Sequence, residues 1–267
     1  MADKNGLRSD NSAAPSSPPS EDAAAQIRYA PIQKTDVYYP VTDGKPMAET
    51  ERHRDEMIHT LQVLMAHFTD VPAVCVSGNM MMYYVEGDPR KSVAPDIFVT
   101  FGVARKERRI YRIWEEGKPP DFVLEFSSQN TYQHDLAGKQ ELYALIGVRE
   151  YFLYDAERRY LPSPLMGFRL VGGEYVPIPG RADGSVASAV LKLDLHALAD
   201  SLGFYHPVSE KWLETPAEMA ETRAEAAETR AEQAETRAEQ AEAELARLRA
   251  ENERLKVSVN EDPRSNS

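Results

Sequence analysis

Two short segments in the middle of the chain are apolar at almost every position. Residues 95–101 have the sequence PDIFVTF and residues 121–128 have the sequence DFVLEFSS. Residues 150–155, EYFLYD, show a third run of the same kind. Apolar residues at both alternating positions are typical of strands that are buried on both faces of a sheet. The three segments therefore predict the central strands of a covered sheet.

Two further segments have apolar residues at every third or fourth position, which predicts helices with one buried face. The first extends from about residue 48 to 68, and the second from about residue 135 to the glycine at 147. The buried face of the second helix includes one charged residue among its neighbours: Leu136, Lys139, Tyr143 and Ile146. Helices that cover a sheet of buried strands predict an α/β fold.

After residue 155, glycine and proline residues separate several short apolar runs. This spacing predicts an antiparallel β-meander over residues 160–195, and residues 196–212 then close the domain. The predicted architecture is an α/β core of helix, mixed β-sheet, helix and strand. A β-meander and a long C-terminal helix follow it.

Residues 215–256 differ in kind, because a seven-residue unit that begins at Glu221 recurs almost unchanged at 228 and 235. The repeat predicts a long helix with a heptad seam, and Asn252 in that seam favours a parallel homodimer through residues 221–256. A single helix held by Glu–Arg pairs is the alternative. The seam positions are Ala224, Ala227, Ala231, Ala234, Ala238, Ala241, Leu245, Leu248, Asn252 and Leu255.

The composition of the chain predicts its domain boundaries and its cellular compartment. Residues 1–26 and 257–267 are too polar to form a core and are predicted to be disordered tails, which leaves 27–214 as one domain. A single cysteine, the lack of an apolar leader and the lack of a membrane-length apolar run predict a cytoplasmic protein. The net charge of −12 opposes general attraction to a phosphate backbone.

One basic patch stands out in this acidic chain, between the two acid-bearing strands and next to Tyr111 and Trp114. Such a segment can follow the phosphates of DNA while its aromatic neighbours stack on bases. A solvated connecting loop is the alternative, because runs of charge usually face water. The candidate contacts are Arg105, Lys106, Arg108, Arg109 and Arg112.

Asp96 and Glu125 lie inside the apolar strands, where a carboxylate is costly to bury unless a cation or hydrogen-bond donors meet it. Lys139 on the covering helix offers a positive charge. Two carboxylates can hold Mg²⁺ or Mn²⁺, which keep several water ligands. A buried ion pair is the alternative, and Asp135 can also pair with Lys139 four residues later on the helix.

An ordered set of motifs resembles the Uma-two family of restriction endonucleases, which belongs to the PD-(D/E)XK nuclease superfamily. The set consists of Pro95-Asp96, a strand with Glu125, a helix with Asp135 and Lys139, and GVREYFLYD at 147–155. The resemblance covers about residues 38–212. It implies a restriction-endonuclease-like core, a divalent metal and DNA as the substrate.

The same resemblance implies roles for individual residues. Asp96 and Glu125 are the implied metal ligands, and Lys139 is the implied catalytic group that positions the attacking water. The superfamily usually has a lysine two residues after the strand acid. Ser127 occupies that position here, so Lys139 has to supply the charge, with Ser127 and Asp135 in support.

The first helix of superfamily members often contributes another acid to the site. The buried face of the predicted first helix, continued toward its start, reaches His53 and then Glu49. Glu49 is therefore a candidate third metal ligand and His53 a candidate supporting residue. An ordinary first helical turn, in which Glu49 and Glu51 favour the helix dipole, is the alternative for Glu49 and His53. Glu56, off that face, is the fallback acid.

Three functions are compatible with these patterns. The first is a Mg²⁺- or Mn²⁺-dependent endonuclease that hydrolyses DNA phosphodiester bonds. The second is a catalytically silent nuclease-fold module that binds or scaffolds and oligomerises through the coiled coil. In the third, the coiled coil carries the main function and the globular part is its cargo.

Overall fold

The computed structural model describes residues 37–42 and 50–260, with side chains of the last helix described as far as Lys256. The predicted tail at 1–26 and the candidate ligand Glu49 lie outside these residues, as does 261–267. The described elements, in chain order, are α1 (Glu51–His67), β1 (Val74–Ser77), β2 (Met82–Tyr83), β3 (Ser92–Val93), β4 (Ile97–Phe101), β5 (Tyr111–Arg112), α2 (Ile113–Glu116), β6 (Phe122–Phe126), α3 (Tyr132–His134), a π-helical segment (Asp135–Lys139), α4 (Gln140–Ile146), β7 (Glu150–Tyr154), β8 (Leu165–Val171), β9 (Glu174–Ile178), β10 (Val186–Ser188), β11 (Leu193–Ala197), β12 (Leu202–His206), β13 (Lys211–Trp212) and α5 (Pro216–Asn260).

A six-stranded mixed sheet forms the centre of the fold, in the order β1-β4-β6-β7-β8-β9. β6 and β7 pair in parallel, and the other neighbours in this sheet are antiparallel. All five residues of β6 and all five of β7 are buried, as their apolar sequences predicted. The mixed α/β fold with a long C-terminal helix that the sequence predicted is confirmed.

Both faces of this sheet are covered by apolar side chains. On one face, Leu64 of α1 and Leu195 of β11 join Leu124 of β6 in one core cluster. On the other face, Tyr143 of α4 packs with Val123 of β6 in a second cluster. Because neighbouring residues of a strand point to opposite faces, Glu125 shares the face of Val123 and lies beneath α4.

The chain from Tyr132 to Ile146 is one helical stretch interrupted by a single π-helical segment. It ends at Gly147, which adopts a left-handed conformation with φ of 87° and donates its N–H to Tyr143 and Ala144. This is the glycine that the sequence predicted as the end of the helix. Such π-helical turns occur frequently at functional sites.

The region predicted as one meander is divided between two sheets. β8 and β9 form a hairpin that extends the central sheet, with Gly172 and Gly173 at its turn in left-handed conformations. β10 to β13 form a separate antiparallel sheet, called the second sheet below, which packs on the core beside α1. The spacing of turn residues predicted the strands, but the choice of sheet depends on which surface each strand covers.

α5 is a helix of 45 residues, so it extends about 68 Å at about 1.5 Å per residue. It continues to Asn260, four residues beyond the end predicted at 256. Its first turns contact α1, where Glu218 lies 3.4 Å from the imidazole of His59. All side chains from 221 to 256 are exposed, including the seam leucines. Among the described residues, none of the helices has the length and apolarity needed to cross a membrane.

Candidate metal centre

The register of β4 and β6 brings Asp96 and Glu125 together at one end of the central sheet. Ile97 pairs with Leu124, and extending that antiparallel register by one residue sets Asp96 opposite Glu125. The backbone N–H of Phe126 donates to Asp96 Oδ2 at 2.8 Å. The N–H of Asp96 lies 3.4 Å from Glu125 Oε2. Each strand therefore holds the carboxylate of the other strand.

Lys139 reaches this carboxylate pair from the helix above the sheet. Its Nζ donates to Glu125 Oε2 at 2.8 Å and lies 3.1 Å from Asp135 Oδ1. Asp135 and Lys139 are the first and last residues of the π-helical segment, so both side chains face the sheet. The predicted meeting of two strand carboxylates and one helix lysine is present in the structure, with Asp135 as a third acid. We refer to Asp96, Glu125, Asp135 and Lys139 as the acidic cluster.

Three hydroxyl groups donate hydrogen bonds to the acidic residues Glu125 and Asp135. Tyr143 is fully buried, and its hydroxyl donates to Glu125 Oε1 at 2.6 Å. The hydroxyl of Ser127 donates to Asp135 Oδ2 at 3.2 Å. The hydroxyl of Tyr151 donates to the backbone carbonyl of Asp135 at 2.9 Å. The contact of Tyr143 with Glu125 was not predicted from the sequence, although Tyr143 follows Lys139 by four residues and therefore lies on the same helical face.

The start of α1 approaches the acidic cluster from the opposite side. Thr50 caps the helix by accepting the N–H of His53, and the His53 ring packs against Phe126 with centroids 5.6 Å apart. His53 Nε2 lies 3.9 Å from Asp96 Oδ2. The fallback acid Glu56 points elsewhere, because its carboxylate accepts the N–H of Leu202 in the second sheet at 3.1 Å. His53 is thus beside the cluster, and Glu56 is not.

Burial dominates the electrostatics of the acidic cluster. Glu125 is fully buried, and desolvation raises its pKa to about 8, against the lowering effect of Lys139. Desolvation also raises the pKa of Asp96, again opposed by Lys139. Burial alone would lower the pKa of Lys139, but the carboxylates of Glu125, Asp135 and Asp96 outweigh it and hold that pKa above its usual value. One lysine thus faces three acids.

The acidic cluster is open to solvent on one side. The side chains of Asp96 and Lys139 keep 17% and 15% of their surfaces exposed, whereas Glu125 and Asp135 are buried. Asp135 Oδ1 has the ionic contact with Lys139 but, among described residues, no hydrogen-bond donor. A buried carboxylate oxygen without a donor and an excess of acid over base are both conditions that an added cation would relieve.

Gly78 allows the end of β1 to approach Asp96 closely. A methyl group on Gly78 would lie 2.1 Å from the backbone carbonyl oxygen of Asp96, which is closer than two such atoms can come. The neighbouring Asn79 donates its N–H to the carbonyls of Pro95 and Asp96 at 2.9 and 3.1 Å. This contact fixes the backbone that carries the Asp96 carboxylate.

Arg105, the first residue of the basic segment at 105–112, is not brought to the acidic cluster. Arg105 donates to the carbonyls of Phe68 and Thr69, just past the end of α1, whereas His53 at its start contacts Asp96. These two ends of the helix are about 22 Å apart at about 1.5 Å per residue.

The cations of this segment are largely engaged within the chain. Arg108 and Lys106 pair with Glu116, and Arg112 pairs with Glu115 and lies over the Tyr39 ring. Arg109 is exposed. A contact between this segment and nucleic acid therefore stays a prediction.

The donor set of the acidic cluster suits a hard cation with few protein ligands. Within the described parts of the chain, no group of three His, Cys, Asp or Glu side chains is arranged to hold a metal ion. The predicted third ligand, Glu49, lies outside those parts. Mg²⁺ keeps several waters and commonly takes only one or two carboxylates from a protein, which Asp96 and Glu125 can provide. The residues present therefore fit such an ion.

A mixed sheet with buried central strands, two strand acids and a helix lysine at one end is typical of an α/β protein of the restriction-endonuclease-like class. The model of the Uma2 family, described as "Putative restriction endonuclease", matches residues 28–199, which is more than half of the chain. The chain therefore belongs to the Uma2 family, as its motifs suggested.

One solved structure that matches part of this chain is the crystal structure of a putative nuclease belonging to DUF820 from Anabaena variabilis. The two sequences are 16% identical, and the match covers 58% of this chain and 87% of the other, with a TM-score of 0.42. Among curated proteins, none matches this chain significantly.

Proposed function

We propose that the protein is a Mg²⁺- or Mn²⁺-dependent nuclease that hydrolyses phosphodiester bonds in DNA. The single observation that carries this proposal is the acidic cluster, in which Lys139 is the one lysine or arginine of the described residues that contacts the carboxylates of Glu125 and Asp135, with Asp96 beside them. Membership in the Uma2 family supports a nuclease, and restriction-endonuclease-like families generally depend on a metal. Asp96 keeps 17% of its side chain exposed, and a substrate phosphate would approach the acids from that side.

In this proposal Asp96 and Glu125 hold the metal ion. When bound, such an ion polarises a phosphoryl oxygen and lowers the pKa of a water ligand. The ammonium group of Lys139 orients the attacking water and stabilises negative charge that develops on the phosphate. The water oxygen forms a bond to phosphorus and releases a proton to solvent, the bond to the leaving oxygen breaks, and that oxygen takes up a proton from solvent, so that one water is consumed.

Other residues would keep these groups in position. The Tyr143 hydroxyl holds one oxygen of Glu125, which leaves the orientation of the other oxygen to Lys139. Ser127 holds Asp135, and Asp135 in turn holds Lys139 over the sheet. Hydrogen bonds to metal-binding carboxylates commonly affect metal affinity or activity about 10- to 100-fold.

The test is cleavage of supercoiled and linear DNA with increasing Mg²⁺ or Mn²⁺, using the full chain. We expect metal-dependent cleavage that is lost in Asp96→Asn, Glu125→Gln and Lys139→Met. Glu56→Gln is the matched control, because Glu56 is a buried acid of the same domain that bonds to Leu202 instead. Cleavage that persists in EDTA, or that survives all three changes, would contradict the proposal.

A catalytically silent module is the second candidate, and a specific contact favours it. Lys139 already lies within 2.8 Å of Glu125, so an ordinary ion pair competes with a metal for the same carboxylate. Ser127 occupies the position, two residues after the strand acid, where the superfamily usually has a lysine, and this also favours a silent module. Isothermal titration of the wild type with Mn²⁺ separates the candidates. Binding lost in Glu125→Gln supports the nuclease, and absent binding together with absent cleavage supports the silent module.

We further propose that the chain forms a homodimer through a coiled coil at 221–256. Leu245, Leu248 and Leu255 keep 49%, 53% and 59% of their surfaces exposed, although they line one seam of the helix. A parallel partner helix would cover them. Light scattering should give twice the chain mass for the wild type and the monomer mass for a double change of Leu245 and Leu248 to Ser. A monomeric wild type at micromolar concentration would exclude the dimer.

A further inference from the structure

Tyr132 and Tyr160 form a stacked aromatic pair beside the acidic cluster. Their ring centroids lie 5.9 Å apart with an angle of 27° between the planes, and both side chains are partly exposed. Tyr132 is the first residue of α3, and Tyr160 belongs to the loop between β7 and β8. The pair therefore joins the two connections that leave the same end of the central sheet.

This pair lies close to the acids because one helical face carries both. Tyr132 is three residues before Asp135, which is one helical turn, and the N–H of Asp135 donates to Thr131 at 2.9 Å. Along this face the buried Tyr143 contacts Glu125, Lys139 contacts Glu125 and Asp135, and Tyr132 comes last. The aromatic pair thus borders the cluster at the end of the sheet where β6 and β7 finish.

The loop that carries Tyr160 is held in place by a buried acid. The carboxylate of Asp155 accepts the N–H groups of Arg159, Tyr160 and Leu161 at 2.6 to 3.0 Å. Arg158 ties the same loop to the second sheet by donating to the carbonyls of Ala197 and Leu198. A ring that is fixed before binding loses little conformational entropy when a ligand stacks on it.

The surroundings of the pair suit an unpaired nucleotide. The side chain of Arg159 is 74% exposed, and its ionic contact among the described residues is with Glu157 at 3.8 Å, so it can meet a phosphate. Gln129, Asn130 and Gln133 are exposed amide side chains on the adjoining connection. Proteins that bind single strands combine aromatic rings, on which bases stack, with cations along the backbone. Bases inside a duplex do not offer their faces to such rings.

We propose that Tyr132 and Tyr160 form a stacking site for an unpaired base of single-stranded DNA next to the acidic cluster. This inference rests on the proposed nuclease function, and it names the substrate class as single-stranded DNA or DNA with an unpaired segment. In this inference the loops that follow β6 and β7 contact the nucleic acid, instead of the basic segment at 105–112 that the sequence predicted.

The test is binding of a fluorescein-labelled 20-nucleotide single strand, and of the matching duplex, to the full chain. Fluorescence anisotropy is measured in EDTA, which stops any metal-dependent cleavage. We expect the single strand to bind more tightly than the duplex. Tyr132→Ala and Tyr160→Ala should each weaken its binding about tenfold, as expected for one lost base–aromatic stack.

Two controls accompany these variants. Tyr132→Phe and Tyr160→Phe keep the rings and should bind within about twofold of the wild type. Tyr205→Ala removes a similarly exposed tyrosine that packs on Trp212 in the second sheet, and it should leave binding unchanged. Alanine variants that bind like the wild type would overturn the inference, and so would a wild type that binds the duplex more tightly.

A second measurement does not depend on the folding of any variant. Wild-type protein is crosslinked by ultraviolet light to a single strand that contains 5-iodouracil, and the crosslinked peptides are mapped by mass spectrometry. Crosslinks at Tyr132 or Tyr160 support the site, and crosslinks confined to the segment at 105–112 overturn it. The two proposals can be rejected separately. If single-strand binding depends on the tyrosines but no cleavage occurs, only the stacking site is supported. If cleavage occurs but the tyrosine changes affect neither binding nor cleavage, only the nuclease is supported.

Discussion

Replacing Lys139 by methionine tests whether the acidic cluster needs a compensating cation. The substitution keeps most of the side-chain volume but removes the ammonium group that lies 2.8 Å from Glu125 and 3.1 Å from Asp135. Removal of one partner from a buried ion pair typically costs about 3–5 kcal/mol. Because Lys139 keeps 15% of its side chain exposed, we expect the lower end, about 3 kcal/mol.

The assay is urea unfolding followed by tryptophan fluorescence. The chain has two tryptophans, Trp114 and Trp212, and both lie outside α5, so the signal reports on the sheets and not on the long helix. In EDTA, Lys139→Met should unfold at a lower urea concentration than the wild type. Adding Glu125→Gln should restore part of the loss, because it removes one of the uncompensated charges.

Magnesium separates the metal-site explanation from a simple ion pair. If Asp96 and Glu125 bind the ion, saturating Mg²⁺ should stabilise Lys139→Met more than the wild type, because the ion then replaces the lost positive charge. A ligand at 100 times its Kd contributes about 2.7 kcal/mol. Arg169→Met is the matched control, because Arg169 pairs at 3.0 Å with the buried Glu150 away from the cluster, and Mg²⁺ should not rescue it.

Two results would refute the reasoning. A stability of Lys139→Met equal to that of the wild type in EDTA would mean that the lysine does not compensate the acids. An equal effect of Mg²⁺ on the wild type, Lys139→Met and Arg169→Met would mean that the cluster has no specific affinity for the ion.

Three further changes probe the supports of the site and the rest of the core. Tyr143→Phe removes the 2.6 Å hydrogen bond to Glu125 and should lower the cleavage rate about 10- to 100-fold. Circular dichroism should show unchanged secondary structure. An unchanged cleavage rate would exclude a role of Tyr143 in positioning Glu125. Burial raises the pKa of Glu56, so the stability that this group contributes is present below pH 4.5 and is lost as pH rises through its folded pKa. Glu56→Gln should therefore be more stable than the wild type at pH 8 but not at pH 4, as measured by urea unfolding. Gly78→Ala should displace the backbone of Asp96, because the added methyl group would lie 2.1 Å from its carbonyl oxygen. We expect weaker Mn²⁺ binding by calorimetry. Gly180→Ala is the control, because a methyl group there meets only an ordinary contact of 3.8 Å with the carbonyl oxygen of Ser185.

The periodic patterns of the chain determined its elements. Strands at β4, β6 and β7 follow from apolar runs, and the end of the second helix follows from Gly147, because only glycine adopts a left-handed conformation without steric cost. The long helix α5 follows from its heptads. These signals depend on neighbouring residues, so a single sequence contains them.

The sequence also indicated which charged residues require an explanation. A glutamate in a strand with two apolar faces is costly wherever that strand lies, and a lysine on an apolar helical face complements it. The structure brings Asp96, Glu125 and Lys139 together as that argument predicted. Their roles as metal ligands and catalytic group stay a prediction until binding and cleavage are measured.

Contacts between distant residues were decided by the tertiary structure alone. The hydroxyl of Tyr143 on Glu125, the stacking of Tyr132 on Tyr160 and the contact of Glu56 with Leu202 each join elements far apart in the chain. The same holds for Arg105 of the basic segment, which lies between the acid strands in sequence but contacts the residues just past the end of α1. Hydrophobic periodicity specifies which face of an element is buried, but the partner on that face depends on how the whole chain packs.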